Sequence, residues 1–150
     1  MNFIVKAYTD GSCLGNPGVG GYGIYLEKYD QSRKLLKQAD LSGAALNTTN
    51  NRMEMLAIIK ALEFLHLKQI FHSEIEIITD SNLIVSTINK GWKKKANQDL
   101  WRQMDGLLSE TRMHGNDYKV TWIKGHAGHP GNERADQLAN SAATRLRDSR

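Results

Sequence analysis

Phe3-Ile4-Val5-Lys6-Ala7-Tyr8-Thr9-Asp10-Gly11-Ser12 is the stretch on which the fold turns. Phe3, Val5, Ala7 and Thr9 share one side, a period of two that predicts a strand over Phe3 to Asp10. Outward from it, Tyr22 to Tyr29 continues in β-type residues with Ile24 and Leu26, and Arg33 to Leu41 is a weaker third run. Three such runs in close succession predict hairpins and an antiparallel meander. From Thr49 to Leu67 neither Gly nor Pro occurs and Met, Leu, Ala and Ile dominate, which predicts a helix capped by Thr49 or Asn50. A fourth strand over Glu74 to Thr79, a short helix over Asp80 to Asn89, a helix over Asp99 to Met113, a strand over Asp117 to Ile123 and an Ala-rich helix over Asn132 to Arg147 complete the chain. The order implies an α/β fold, a mixed sheet with helices packed on it.

The 150 residues carry 20 Lys and Arg against 16 Asp and Glu, with 40% hydrophobic residues and one Cys. That length suits one domain over 1–150 with a sizeable core, and no internal repeat or low-complexity segment divides it. A single Cys excludes an internal disulfide and a Cys-based zinc site. No run approaches the roughly 18 apolar residues of a membrane span, and Lys6 interrupts any signal-peptide reading of the N-terminus, so a cytoplasmic protein is expected. The net charge of +4 leans toward a polyanionic partner.

Two strands deliver an acid at the same place. Tyr8-Thr9-Asp10-Gly11-Ser12 and Ile78-Thr79-Asp80-Ser81 each put an Asp just past a predicted strand end, where α/β sheets bind ligands. Taken singly, Asp10-Gly11 could open a turn, and Asp80 or Ser81 could cap the next helix. A third acid adds weight. At about 100° per residue, Arg52, Lys60, Glu63 and His66 form the sector expected to face water, while Glu54 lies opposite, among Ala57, Ile58 and Ala61. An ionised carboxylate there needs a cation, a basic partner or a raised pKa. Asp136, at the edge of the Ala135, Leu138, Ala139, Ala142 and Leu146 stripe, reads by itself as an ordinary first-turn acid.

Four converging acids would repel one another unless metal ions intervened. Oxygen donors select Mg²⁺ or Mn²⁺ over zinc, and two such ions about 4 Å apart suit an in-line phosphodiester displacement. His126-Ala-Gly-His129 offers only two His and makes a poor zinc site. Gly18-Val-Gly20-Gly-Tyr-Gly23 satisfies G-x-G-x-x-G, but it leads into a strand and so fails the context of a dinucleotide fingerprint.

Thr9-Asp10-Gly11-Ser12 with Asn16-Pro17-Gly18, then Thr49-Asn50-Asn51-Arg52-Met53-Glu54, then Thr79-Asp80-Ser81, and finally Lys124-Gly-His126-Ala-Gly-His129-Pro-Gly-Asn-Glu133-Arg-Ala-Asp136 resemble type 1 ribonuclease H, in order and over nearly the whole chain. The resemblance implies a mixed five-stranded sheet, three strands antiparallel and two parallel, and hydrolysis of the RNA strand of RNA–DNA hybrids to 5′-phosphate and 3′-hydroxyl ends. It implies Asp10, Glu54, Asp80 and Asp136 as ligands of two Mg²⁺ ions, replaceable by Mn²⁺. Asp10 would bridge the ions, Asp136 would hold the one at the attacking water, and Glu54 and Asp80 the one near the leaving oxygen. His126 would assist proton transfer or product release, and Glu133 would tune the site.

The same resemblance assigns Gly11, Ser12, Cys13, Asn16, Asn50, Asn51 and Asn82 to the minor groove and the RNA 2′-hydroxyls, a readout suited to short donors and acceptors. Thr49 and Asn97 match a DNA-phosphate pocket. Lys90, Trp92, Lys93, Lys94 and Lys95 add basic charge interleaved with an aromatic ring. Two departures stand out: the basic handle helix of many bacterial members is replaced by a short Gly91 to Asn97 link, and Asn47 occupies a position often basic in relatives. The expected protein is a monomer whose partner is the hybrid, with no membrane and no protein partner. The rival readings are a DNA recombination or junction nuclease on the same fold and a non-catalytic hybrid-binding module. An RNase H domain of a reverse transcriptase is a variant of the main reading, against which stands the Met directly before the first strand.

Overall fold

The computed structural model describes all 150 residues as five strands and four helices. They are β1 (Ile4–Leu14), β2 (Gly18–Tyr29), β3 (Leu35–Thr48), α1 (Asn50–Leu67), β4 (Glu74–Thr79), α2 (Asn82–Lys90), α3 (Gln98–Met113), β5 (Asp117–Trp122) and α4 (Pro130–Asp148). The sheet order is β3-β2-β1-β4-β5. β1–β2 and β2–β3 are antiparallel, and β1–β4 and β4–β5 are parallel, so the mixed five-stranded sheet expected from the sequence is present.

Strand alternation predicts an end at Asp10, yet β1 continues to Leu14, because Gly11 to Leu14 pair with Tyr22 to Val19 of β2. The parallel ladder to β4 does stop there, at Tyr8 opposite Ile78. Asp10 and Asp80 therefore both lie beyond the parallel half of the sheet, although only Asp80 lies beyond its own strand. β3 likewise runs past Leu41 to Thr48. As an edge strand it is largely exposed, and although burial alternates from Ala39 to Leu46, the half-buried positions include Gly43 and Ala45 while Ala44 and Leu46 face water, so residue type carries little alternation for a sequence reading to detect.

α1 covers one face of β1 and β2, with α3 packed against it, and α4 covers the other face. The main core lies between the sheet and α1 to α3, where Ile24, Ile58, Leu62, Ile77 and Met104 are fully buried, while α4 buries the small side chains Ala135, Ala139, Ala142 and Ala143. Thr49 caps α1, its side chain accepting from the Arg52 N–H at 3.3 Å. The polar sector of α1 is not all turned to water. Lys60 and Glu63 are exposed, but Arg52 and His66 turn to α3: Arg52 meets Asp99, and His66 meets Thr111 at 2.9 Å and Glu110 at 3.3 Å. An isolated helical wheel cannot show that a second helix packs on this side.

Glycines set how closely the layers approach. A Cβ on Gly11 would lie 2.4 Å from the Glu54 backbone nitrogen, so only glycine lets the start of α1 lie against β1. No helix is long and apolar enough to cross a membrane.

Candidate active site

Asp10 enters from β1, Glu54 from the first turns of α1 and Asp80 from the end of β4. One carboxylate oxygen of each lies within 4.8 Å of the other two. Asp10 and Glu54 are 4% and 5% exposed, which places two acids in surroundings that ordinarily hold apolar side chains. No Lys or Arg forms an ion pair with any of the three, and Glu54 Oε2 has no hydrogen-bond partner. The basic structural partner that the sequence leaves open for Glu54 is thus absent.

The electrostatic consequence is large. Burial, then the charge of Asp80, pushes Asp10 up to about 8. Burial, then the charges of Asp10 and Asp80, holds Glu54 well above the usual carboxylate range, and burial raises Asp80 as well. Asp136 stands on α4 outside the tight trio but beside Asp10, and its hydrogen bond and charge add to the upward shift there. An orphaned buried oxygen in an all-carboxylate donor set with no protein cation fits a hard divalent ion. His126 is exposed on the β5–α4 loop in a left-handed conformation, φ 56°, near enough for its charge to lower Asp80. His129 and Glu133 are also exposed.

The binding residues named from sequence fall in two groups around this cluster. Gly11 donates its N–H to Asp10 Oδ1 at 2.9 Å, and the Ser12 hydroxyl hydrogen-bonds to Asn140. Cys13 approaches the Thr48 carbonyl at 3.4 Å, and Asn16 Oδ1 accepts from the Asn50 N–H at 3.0 Å, tying the β1–β2 turn to the start of α1. Asn50, Asn51 and Asn82 are exposed at helix starts. The second group surrounds a groove of about 540 Å³ between α1, α2 and α3, lined by Asn51, Ser81, Trp92, Lys93, Lys94, Lys95, Asn97 and Trp101 among others. Trp92 is 46% exposed, with Lys90 6.0 Å from its ring centroid. Lys93 and Lys95 are exposed and form no ion pair, whereas Lys94 is engaged by Asp105 at 2.8 Å and lies over Trp101. The Gly91 to Asn97 link joins α2 directly to α3, with no further helix between them.

Two residues escaped the sequence reading. Arg52 clamps Asp99 with two hydrogen bonds, at 3.0 and 2.7 Å, and reaches Asn97 Oδ1 at 3.2 Å, so it connects the Thr49 cap to the groove. Asn140 donates to Asp136 at 3.2 Å. Its place four residues beyond an acid on one helix is the spacing at which such pairs meet, and this was the available signal.

The sheet order and the acids at the end of its parallel strands define a ribonuclease H-like nuclease fold. The RNase H family profile matches residues 3–144. The ribonuclease H of Paracoccus denitrificans (strain Pd 1222) is 41% identical over 157 residues, covering 96% of this chain and 95% of that one. Among solved structures, the N-terminal RNase H domain of a Mycobacterium tuberculosis protein, determined as a fusion with maltose-binding protein, is similar with a TM-score of 0.76 and 27% identity over 99% of each chain. LC11-RNase H1 in complex with an RNA/DNA hybrid is similar with a TM-score of 0.71 and 28% identity, covering 97% of this chain and 99% of that one. The chain belongs to the ribonuclease H family, of type 1. Its enzyme class is that of a ribonuclease H, a hydrolase that cuts RNA paired to DNA.

Proposed function

We propose that the chain, acting as one monomeric domain in the cytoplasm, hydrolyses the RNA strand of RNA–DNA hybrids with Mg²⁺ held by Asp10, Glu54, Asp80 and Asp136. The observation that carries the site is the carboxylate trio, Asp10 and Glu54 buried and Asp80 half-buried, with an orphaned Glu54 oxygen and no protein cation. When bound, two divalent ions neutralise phosphate charge and lower the pKa of the attacking water, with Mn²⁺ as a substitute. The P–O3′ bond breaks, giving 5′-phosphate and 3′-hydroxyl ends.

The rest is done by the chain's own groups. His126, exposed beside Asp80, exchanges protons with the reacting oxygens or the departing product, a task suited to imidazole near neutrality. Gly11, Ser12, Cys13, Asn16, Asn50, Asn51 and Asn82 present short polar and backbone groups to the 2′-hydroxyls that distinguish RNA from DNA. The groove lined by Asn97, Trp92, Lys93, Lys94 and Lys95, with Thr49 at the α1 cap, takes the DNA strand, where phosphate charge and base faces meet Lys and Trp. Hybrid binding by the similar LC11-RNase H1 supports this partner.

The test is cleavage of a labelled RNA–DNA hybrid with Mg²⁺, Mn²⁺ or EDTA, beside duplex RNA, duplex DNA and single-stranded RNA. Metal-dependent loss of the hybridised RNA alone is expected. Cleavage of duplex DNA points to the junction-nuclease alternative, and an intact hybrid under both ions to a binding module.

A further inference from the structure

Asp10 and Ser12 point to the α4 side of β1, two residues apart. Opposite them in β2 stand Gly23 and Gly21. At these two glycines a Cβ would strike the α4 backbone, 2.1 Å from the Ala135 carbonyl oxygen at Gly23 and 2.2 Å from that of Ala139 at Gly21. Two strand residues advance about 6.6 Å and four helical residues about 6 Å, so strand and helix stay in step here. As Asp10 meets Asp136, Ser12 therefore meets Asn140, one helical turn on. The Ser12 hydroxyl and Asn140 Oδ1 are hydrogen-bonded, and Asn140 Nδ2 donates to Asp136 Oδ1 at 3.2 Å. The polarity of the relay is fixed at its acidic end. An ionised carboxylate only accepts, so the amide nitrogen faces Asp136, the amide oxygen is left to Ser12, and the hydroxyl donates.

We propose that Asn140 is a positioning residue for Asp136, holding one oxygen of that carboxylate through a relay anchored on the strand that carries Asp10. This rests on Asp136 serving the carboxylate cluster, as proposed above. Asp10 and Glu54 are fixed by burial, but Asp136 is only half-buried, forms no ion pair and, outside its contact with Asp10, is held only by the Asn140 amide. Without that bond its rotamers are open to solvent, and the fourth ligand must be ordered when the ion arrives. With it, one oxygen is fixed and the second is left to the cluster. The carboxamide at position 140 donates from one end and accepts at the other; Asp there would repel Asp136, and Ala would break both contacts.

The experiment compares Asn140→Ala, Ser12→Ala and the double variant. It reads the Mg²⁺ concentration for half-maximal cleavage, the KM for hybrid, and Mn²⁺ affinity by calorimetry on the metal-free protein. Asn140→Ala is expected to raise the Mg²⁺ requirement about tenfold, the scale on which groups that orient metal ligands act, with little change in KM. Mn²⁺ affinity falls in parallel, so the effect is not read from activity alone. Ser12→Ala gives a smaller rise in Mg²⁺ requirement, and in Mg²⁺ requirement and Mn²⁺ affinity the double variant is no worse than Asn140→Ala because the two residues act in series, whereas KM rises wherever Ser12 is lost through its own contact with the hybrid. An unchanged metal requirement in Asn140→Ala, or losses of metal affinity that multiply in the double variant, overturns the proposal. Asp136→Asn separates the two failures: if it is inactive while Asn140→Ala behaves as wild type, the relay alone falls, and if it is active, the cluster reading falls.

Discussion

Asp10 and Asp99 are the same chemical group at opposite ends of the scale. Burial and the charge of Asp80 push Asp10 up to about 8, while two hydrogen bonds from Arg52 pull exposed Asp99 down to about 2. The Asp99 pair satisfies itself: each charge meets its opposite at the surface, and the link between α1 and α3 is local and screened by salt. The carboxylate cluster does the reverse, with three acids gathered by three elements and no protein cation among them. Such an arrangement survives without a cation only by taking up protons, and a ligand from outside relieves that cost, so in this molecule the unpaired acids mark the function and the paired one marks the scaffold.

The largest effect expected is from Asp10→Asn. Cleavage falls below detection and hybrid binding in EDTA stays largely intact, while the metal-free protein melts several degrees higher at neutral pH because folding no longer has to bury a carboxyl that must take up a proton; full activity would defeat the metal assignment. Next comes Gly23→Val, whose new Cβ meets the Ala135 carbonyl oxygen and, 2.7 Å away, the Ala139 nitrogen. A loss of about 1–3 kcal/mol is expected by urea unfolding, with loss of activity as α4 and Asp136 are displaced.

The third effect is on pH dependence. Because the folded-state pKa of Asp10 is raised, the native metal-free protein holds more protons than the unfolded chain between pH of about 4 and about 8. Its stability therefore falls as pH rises through that window, and stabilisation by added Mg²⁺ grows across the same range, since binding requires the ionised acids. Asp99 has the opposite sign: its contribution is present above its unfolded value and is lost as pH falls toward about 2. Thermal melts across pH with EDTA and with Mg²⁺ check both, and a metal-free midpoint that rises from pH 5 to 8 would contradict the cluster electrostatics.

Smaller effects belong to the groove. Lys94 is held by Asp105, so the salt dependence of hybrid binding rests on Lys93 and Lys95. Changing both to Ala should flatten the slope of log K against log salt by about 1–2 with kcat nearly unchanged, whereas Lys94→Ala alone should move it less. Arg52→Ala should cost the least, roughly fivefold at most in kcat/KM through KM, the scale of an exposed pair. A larger loss in kcat would show that the α1–α3 link reaches the chemistry.

Most elements were legible because burial writes a period into the chain: 2 along β1, and a helical stripe along α1 with Glu54 conspicuous on its apolar side. Along β3 the period of burial is not matched by residue type, with Gly43 and Ala45 half-buried and Leu46 exposed, and the continuation of β1 beyond Asp10 depends on pairing with β2 that local alternation cannot reveal. Gly18-Val-Gly20-Gly-Tyr-Gly23 could be rejected as a nucleotide loop, but not explained. Contact with α4 gives Gly21 and Gly23 their purpose, for each lies under a helical carbonyl that any Cβ would strike. Arg52 and His66 were readable as polar surface and lie instead against α3, because a helical wheel has no second helix in it, and Lys94, read with its neighbours as charge for the DNA strand, is engaged by Asp105 of α3.

The sequence by itself determined the strand and helix order, the identity of the acids and the family motifs, since these rest on local periodicity and on residue type. Tertiary structure alone decided that Asp10, Glu54 and Asp80 share a space within 4.8 Å, that no basic side chain enters it, and that Asn140 stands over Ser12. Distance and desolvation are properties of the packed chain: carboxylates 44 and 26 residues apart in sequence repel, shift and bind as one group only after the sheet and helices have excluded water around them.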